Sequence, residues 1–223
     1  MKEVVLDTET TGLSVKEGHR IVEIGCIELE NLIPTSKQFH CYLNPERKVS
    51  ENALKIHGYS DEFLSNKKKF KEIVNEFLNF IKDKKLIIHN AEFDLMHLNN
   101  ELSTIGEKLI SRENVIDTLE IAREKFPGST INLDALCKRF SIDNSKRKKH
   151  TALIDCELLT KVYINLIDQK EPMLDLKSDL NLNSNLEDGK SNDYYKKIIY
   201  PSDGEKKLHK NFIEKNLKKN FFS

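Results

Sequence analysis

The chain lacks several features that would have assigned its class at once. It has no CxxC pair: Cys26, Cys41, Cys137 and Cys156 stand apart among apolar neighbours, which speaks for buried thiols over a zinc site or disulfides. It has no excess of either charge, with 36 basic and 36 acidic side chains, so attraction to nucleic acid through net charge is excluded and any such contact must be local. No apolar run reaches bilayer-spanning length. The opening Lys2-Glu3-Val4-Val5-Leu6-Asp7 reads as a short strand without the apolar stretch of a signal peptide, which makes the cytoplasm the default location. No internal repeat is present. What remains is 223 residues, 38% hydrophobic and 32% charged, enough for one sizeable core and an appendage.

Hydrophobic patterning divides the chain. Residues 2–7 read as a buried strand, 20–30 as a second and 38–43 as a third stopped by Asn44-Pro45, which together suggest an antiparallel meander. Ser60 opens a helical stretch in which Phe70, Ile73, Val74, Phe77, Leu78 and Ile81 recur at helical spacing. Strand and helix then alternate: a strand at 86–89, a helix from about 92 to 102, a strand near Val115-Ile116, and helices near 118–125, 132–139 and 152–167. This order predicts an α/β fold with a mixed central sheet flanked by helices, over a domain at 1–168. From Asp168 the composition turns to Asn, Asp, Ser and Lys, so 169–193 reads as a flexible linker. In the last segment, 194–223, Ser202 with Glu205 forms a capping-box pattern ahead of Leu208, Phe212, Ile213, Leu217 and Phe221. Such an amphipathic helix, with no core of its own beside it, suits a partner protein.

Five side chains carry the chemistry. Asp7 and Glu9 are two residues apart, so on a strand both point to one side, with Thr8 on the other. Two carboxylates so close raise each other's pKa unless a cation lies between them, and Mg²⁺ or Mn²⁺ prefers such oxygen donors. Taken alone the pair also reads as a polar strand end in solvent. Asp94, in His89-Asn90-Ala91-Glu92-Phe93-Asp94, falls in the first turn of a helix that Asn90 would cap, where an acid is favoured by the dipole whatever its function. It gains meaning only if the 86–89 strand lies beside the first, placing Asp94 near Asp7 at the strand ends. His150 and Asp155, five apart, would face different ways on one helix. With Thr151 as the cap, His150 lies in the preceding loop and Asp155 in the first turns. The run Lys146-Arg147-Lys148-Lys149 reads either as a solvated loop or as a phosphate contact.

Together these residues suit two-ion phosphodiester hydrolysis: carboxylates hold a pair of cations on the phosphate, and His150 takes the proton of the attacking water. Histidine accepts a proton near neutral pH without being a permanent charge. The set resembles that of DnaQ-like exonucleases of the DEDD superfamily, in the subclass whose last motif is His-x4-Asp. Asp7 and Glu9 match the first motif, Asp94 the second, His150 and Asp155 the third, across about residues 1–168. The resemblance implies an RNase H-like fold and 3′→5′ exonuclease activity with two Mg²⁺ or Mn²⁺ ions held by Asp7, Glu9, Asp94 and Asp155, with His150 catalytic. It also implies substrate contacts from Asp7, Glu9, Asp155, Thr10 (sugar), Leu13 (a wedge by the base), Asn52 and His57. Read without it, His57 is an ordinary loop histidine.

Within that superfamily the chain is similar to the proofreading epsilon subunits of bacterial DNA polymerase III. The likeness lies in the stretch Ile56-His57-Gly58-Tyr59-Ser60-Asp61-Glu62-Phe63-Leu64, in the order of domain, linker and small helix, and in a tail from Ile199 to Leu217. It implies DNA 3′ ends as substrate and docking on the polymerase catalytic subunit through 194–223. Met173-Leu174-Asp175-Leu176 partly resembles a sliding-clamp motif but lacks its leading glutamine and final aromatic, and reads equally as linker. An RNA-trimming exonuclease of the same superfamily and a non-catalytic polymerase brace are the alternatives. The tail argues against the first and the intact acids against the second.

Overall fold

A computed structural model describes residues 2–145, 147, 149–168 and 201–216. The chain divides into two units, Met1–Leu174 and Asp175–Ser223. In the first, five strands form one sheet: β1 (Lys2–Thr10), β2 (Ile21–Glu30), β3 (Ile33–Tyr42), β4 (Lys85–Ile88) and β5 (Val115–Asp117), in the order β3-β2-β1-β4-β5. The pairs β1–β2 and β2–β3 are antiparallel, while β1–β4 and β4–β5 are parallel. The predicted mixed sheet, meander first, is therefore present.

Among the described residues seven α-helices accompany it: α1 (Glu51–His57), α2 (Asp61–Ser65), α3 (Phe70–Ile81), α4 (Ala91–Thr104), α5 (Thr118–Lys125), α6 (Leu133–Arg139) and α7 (Ala152–Leu166). Alternation along the strands splits the core in two. Val4, Leu6, Leu86 and Ile88 pack with Phe77 and Leu98 of α3 and α4, whereas Val5, Ile27, Leu29 and Ile87 pack with Leu136, Leu159 and Val162 of α6 and α7. The strands so covered are apolar on both faces, as buried strands require. All four cysteines are free; Cys26, Cys137 and Cys156 are buried and Cys41 half-buried. Burial pushes the Cys41 thiol up to about 12.

Three boundaries differ from the sequence expectation. β1 continues past Asp7 to Thr10, with an irregularity at Glu9/Thr10. β3 begins at Ile33, joined to β2 through Asn31 and Leu32, both at positive φ. Its first half is exposed and contains Pro34, as an edge strand permits, so no apolar alternation marked it. The stretch opened by Ser60 is two helices: Ser60 Oγ caps α2, and α3 starts afresh where the Lys69 N–H donates to the Glu72 carboxylate at 2.7 Å. Helix α1, capped by Ser50, has no counterpart in the sequence reading.

In the second unit one helix is described, α8 (Asp203–Asn216), entered through the predicted capping box: the Ser202 N–H donates to Glu205 Oε2 at 2.7 Å. Leu208 and Phe212 on it are exposed. The linker 169–193 and the clamp-like segment 173–176 lie outside the described residues, as does most of the remaining tail. Among the described residues no helix is long and apolar enough to cross a membrane.

Candidate active site

Strand register brings the acids together. Val4 and Val5 pair in parallel with Leu86 and Ile87, so the carboxyl ends of β1 and β4 lie side by side. Asp7 and Glu9 face the α7 side and Thr8 the other. Thr8 reaches across to α4, where its N–H and Oγ1 both donate to Asp94 Oδ1, at 3.0 and 2.7 Å. Asp94 thereby meets the end of β1 from the opposite layer. Helix α7 arrives from the first layer. Asp7 pairs with Gly25 on β2, and a Cβ on Gly25 would lie 2.6 Å from the Ala152 carbonyl carbon. Only glycine lets α7 descend this far onto the sheet.

The start of α7 is held by β2. Thr151 stands at the expected cap position, but its side chain makes no capping bond. The Ala152 N–H donates instead to Glu23 Oε2 at 3.0 Å. Glu23 is fully buried, opposite Glu9 in register, and also accepts from Tyr59 Oη at 2.8 Å while bonding His40 Nε2 at 2.7 Å. His150 consequently sits before the helix and Asp155 within its first turn, as the spacing argument required. A similar substitution occurs at α4. Asn90 occupies the cap position at φ 68° without a side-chain bond, and Asp117 takes its place. The carboxylate of Asp117 accepts from the N–H groups of Asn90, Ala91 and Leu119, at 3.0, 2.9 and 2.9 Å, and so fixes the starts of α4 and α5 together.

Asp7, Glu9, Asp94, His150 and Asp155 all line one cleft of about 650 Å³. Ligand atoms of Glu9, His150 and Asp155 lie within 4.8 Å of one another. Burial, then the neighbouring carboxylates Asp94, Asp155, Glu9 and Glu23, holds Asp7 well above the usual carboxylate range. Burial, then Asp155, Glu23 and Asp94, raises Glu9 to about 8 against the opposing charge of Arg147. Burial raises Asp94 to about 7 in spite of the Thr8 hydrogen bonds. Asp155 goes the other way: burial alone would raise it, but the Arg147 hydrogen bonds and the nearby His150 lower it. A cleft of hard oxygen donors that repel one another fits divalent cations.

A second cavity of about 390 Å³ adjoins the first, sharing Thr8, Glu9, Leu13 and Phe93 with it. Thr10, Leu13, Asn52 and His57 all line it. Leu13 is 78% exposed, projecting as a bare apolar side chain between the two cavities. The reading of His57 as a loop histidine is corrected: it ends α1, is buried, accepts from the Tyr59 N–H through Nδ1 and donates from Nε2 to the Thr10 carbonyl at 3.3 Å. Burial lowers its pKa, so the ring is neutral.

The solvated-loop reading of the basic run fails at Arg147, which turns inward and pairs with Asp155. Lys146 and Lys148 lie outside the described residues. Glu23 was legible as a carboxylate inside the apolar strand Ile21-Val22-Glu23-Ile24, and Asp117 as an acid at a strand-to-helix junction. Arg147 gave no such signal, because a run of cations looks alike whichever member folds inward.

Residues 4–163 match the family model described as Exonuclease, of RNase T type. The chain is 46% identical over 224 residues to DNA polymerase III subunit epsilon of Rickettsia conorii, covering 98% of this chain and 97% of that protein. To DNA polymerase III subunit epsilon of Haemophilus influenzae it is 37% identical over 244 residues, covering 98% and 91%. Among solved structures, the nuclease domain of 3′hExo, a DEDDh family member bound to rAMP, is similar in fold with a TM-score of 0.66 and 16% identity, over 76% of this chain and 92% of that one.

Proposed function

Because the chain belongs to the Exonuclease family, and within it to the DNA polymerase III epsilon subunits, we propose that it removes mismatched nucleotides from DNA 3′ ends as the proofreading 3′→5′ exonuclease of the replicative polymerase. The observation that carries this reading is the convergence of Asp7, Glu9, Asp94, His150 and Asp155, drawn from β1, α4 and the start of α7, on one cleft. The enzyme depends on divalent metal. In this reading two ions, Mg²⁺ or Mn²⁺, are held by Asp7, Glu9, Asp94 and Asp155. When bound they supply charge for the scissile phosphate and acidify the attacking water.

The chain's own groups do the rest. His150, half-exposed at the cleft mouth, takes the proton of the attacking water. Its partner Asp155, with Oδ2 3.5 Å from Nδ1, stabilises the imidazolium that forms. Thr8 fixes Asp94 so that the acid enters the site in one orientation. The adjoining cavity takes the terminal nucleotide: Thr10 and His57 stand at its sugar, Asn52 lines the wall, and Leu13 separates its base from the next. His57 serves there as a neutral donor and acceptor. The protein is cytoplasmic, and residues 194–223 dock on the polymerase catalytic subunit.

The test is release of mononucleotides from single-stranded DNA, mismatched primer ends and RNA with Mg²⁺. DNA is degraded 3′→5′, Asp7→Ala abolishes the reaction, and His150→Ala slows it by about 10²–10⁴-fold. Loss of RNA with DNA left intact would replace this reading by that of an RNA-trimming enzyme.

A further inference from the structure

Arg147 is the one arginine or lysine among the described residues that lines the cleft, where Asp7, Glu9, Asp94 and Asp155 gather. Its guanidinium uses every face. Nε donates to Asp155 Oδ1 at 2.6 Å and Nη2 to Asp155 Oδ2 at 2.7 Å, a planar fork on both carboxylate oxygens. Nη2 also donates to His150 Nδ1 at 2.9 Å, and Nη1 to Asp134 Oδ2 at 2.6 Å. The arginine and Asp155 side chains are only 7% and 4% exposed, so water screens the pair weakly. Asp134, at 54% exposure, anchors the arginine from the rim.

Two functions proposed for this cleft are thereby blocked by one side chain. Both oxygens of Asp155 are taken by hydrogen bonds, and a dication at that carboxylate would sit against a fixed positive charge. An arginine can only donate, so Nδ1 of His150 must accept. A neutral imidazole has one lone pair, and here Arg147 holds it. The nitrogen a general base needs is engaged for as long as the arginine stays.

We propose that Arg147 is an internal counter-ion that competes with divalent cation for Asp155, so that loading the cleft with metal moves the guanidinium off Asp155 and releases His150. This rests on the metal-dependent reading above and assigns to that site a built-in competitor. Arg147 is a positioning residue in this scheme. Asp134 keeps it tethered at the rim after exchange.

The experiment uses the full chain, stripped with chelator and titrated with Mn²⁺ alone by calorimetry. Arg147→Gln binds Mn²⁺ about tenfold more tightly than the natural chain, the order expected when one charge-assisted contact no longer competes. Arg147→Lys, which keeps the charge and loses the fork, falls between. Equal or weaker binding by both variants overturns the proposal, since a purely structural arginine would leave the acids worse placed. A wild-type chain that takes up no Mn²⁺ overturns this inference and the metal-site reading together, which separates the two failures. A second readout needs no folded glutamine variant. In ¹⁵N spectra of the natural chain, the Nε–H resonance absent from Arg147→Lys shifts and broadens along the saturation curve of a parallel Mg²⁺ calorimetric titration. Its persistence unchanged at saturating Mg²⁺ also refutes the exchange.

Discussion

Carboxylates in this cleft differ because their neighbours differ. Asp155 has Arg147 and stays charged, while burial lifts Asp94 to about 7, and burial with the carboxylates Asp155, Glu23 and Asp94 lifts Glu9 to about 8. An acid whose pKa is higher folded than unfolded holds an extra proton in the native state. Its contribution to stability is present below its unfolded pKa and is lost as pH rises through the folded one. Buried His57 and His97 and half-buried His89 act oppositely, but their lowered values place their titration below about pH 6.5. In chelator, urea unfolding therefore shows stability falling between pH 6.5 and 8, by on the order of 1–2 kcal/mol. Glu9→Gln removes part of that slope, and Asp7 and Asp94 keep the rest. Mn²⁺ flattens it in the natural chain, because metal binds the deprotonated acids. Stability that climbs over this interval in chelator would show that the acids do not repel as their packing requires.

Among the elements, the two helices that bring acids to the site from outside β1 are capped from a distance. Local capping holds α1, α2 and α6 through Ser50, Ser60 and Asn132. At α4 and α7 the capping groups come from other strands, Asp117 of β5 and Glu23 of β2. A distant cap ties the position of a helix to the sheet as well as satisfying its first N–H, and these two helices carry Asp94 and Asp155. Glu23→Ala leaves the Ala152 N–H, Tyr59 hydroxyl and His40 ring without their buried acceptor, and lowers stability by about 3 kcal/mol. With α7 loosened, Mn²⁺ binding weakens even where the variant is fully folded by circular dichroism. Unchanged Mn²⁺ affinity in a folded Glu23→Ala protein would show that α7 is placed by packing alone, with Gly25 the residue to examine next.

For the molecule as a whole, the exonuclease unit carries its own two-sided core and all five site residues. Helix α8 presents exposed Leu208 and Phe212 and is started by its own capping box. Deleting residues 194–223 leaves hydrolysis of single-stranded DNA within about twofold, a change worth less than 1 kcal/mol, and ends co-elution with the polymerase catalytic subunit. Co-elution that survives the deletion would place the docking surface in the first unit.

Much of this was readable in the chain, for a physical reason. Asp-x-Glu on a strand, an acid in a helix's first turn and His-x4-Asp across a helix start are short-range geometries, set by strand period and helix pitch. The strands of both covered layers, β4 above all, announce themselves as apolar runs. Edge strand β3 was half hidden because its exposed half carries no apolar period, and α1 because its seven residues bury only Ala53 and His57. By itself the sequence determined which residues could do the chemistry and in what order the elements run. Only the tertiary structure decided that Glu23 and Asp117 cap distant helices and that Thr8 grips Asp94. It also decided that Arg147, alone of its basic run among the described residues, sits on Asp155. Those pairings span 86 residues for Thr8 and Asp94 and 129 for Glu23 and Ala152. No local period constrains contacts at such separations, which arise when the sheet closes and buried charge must find a partner.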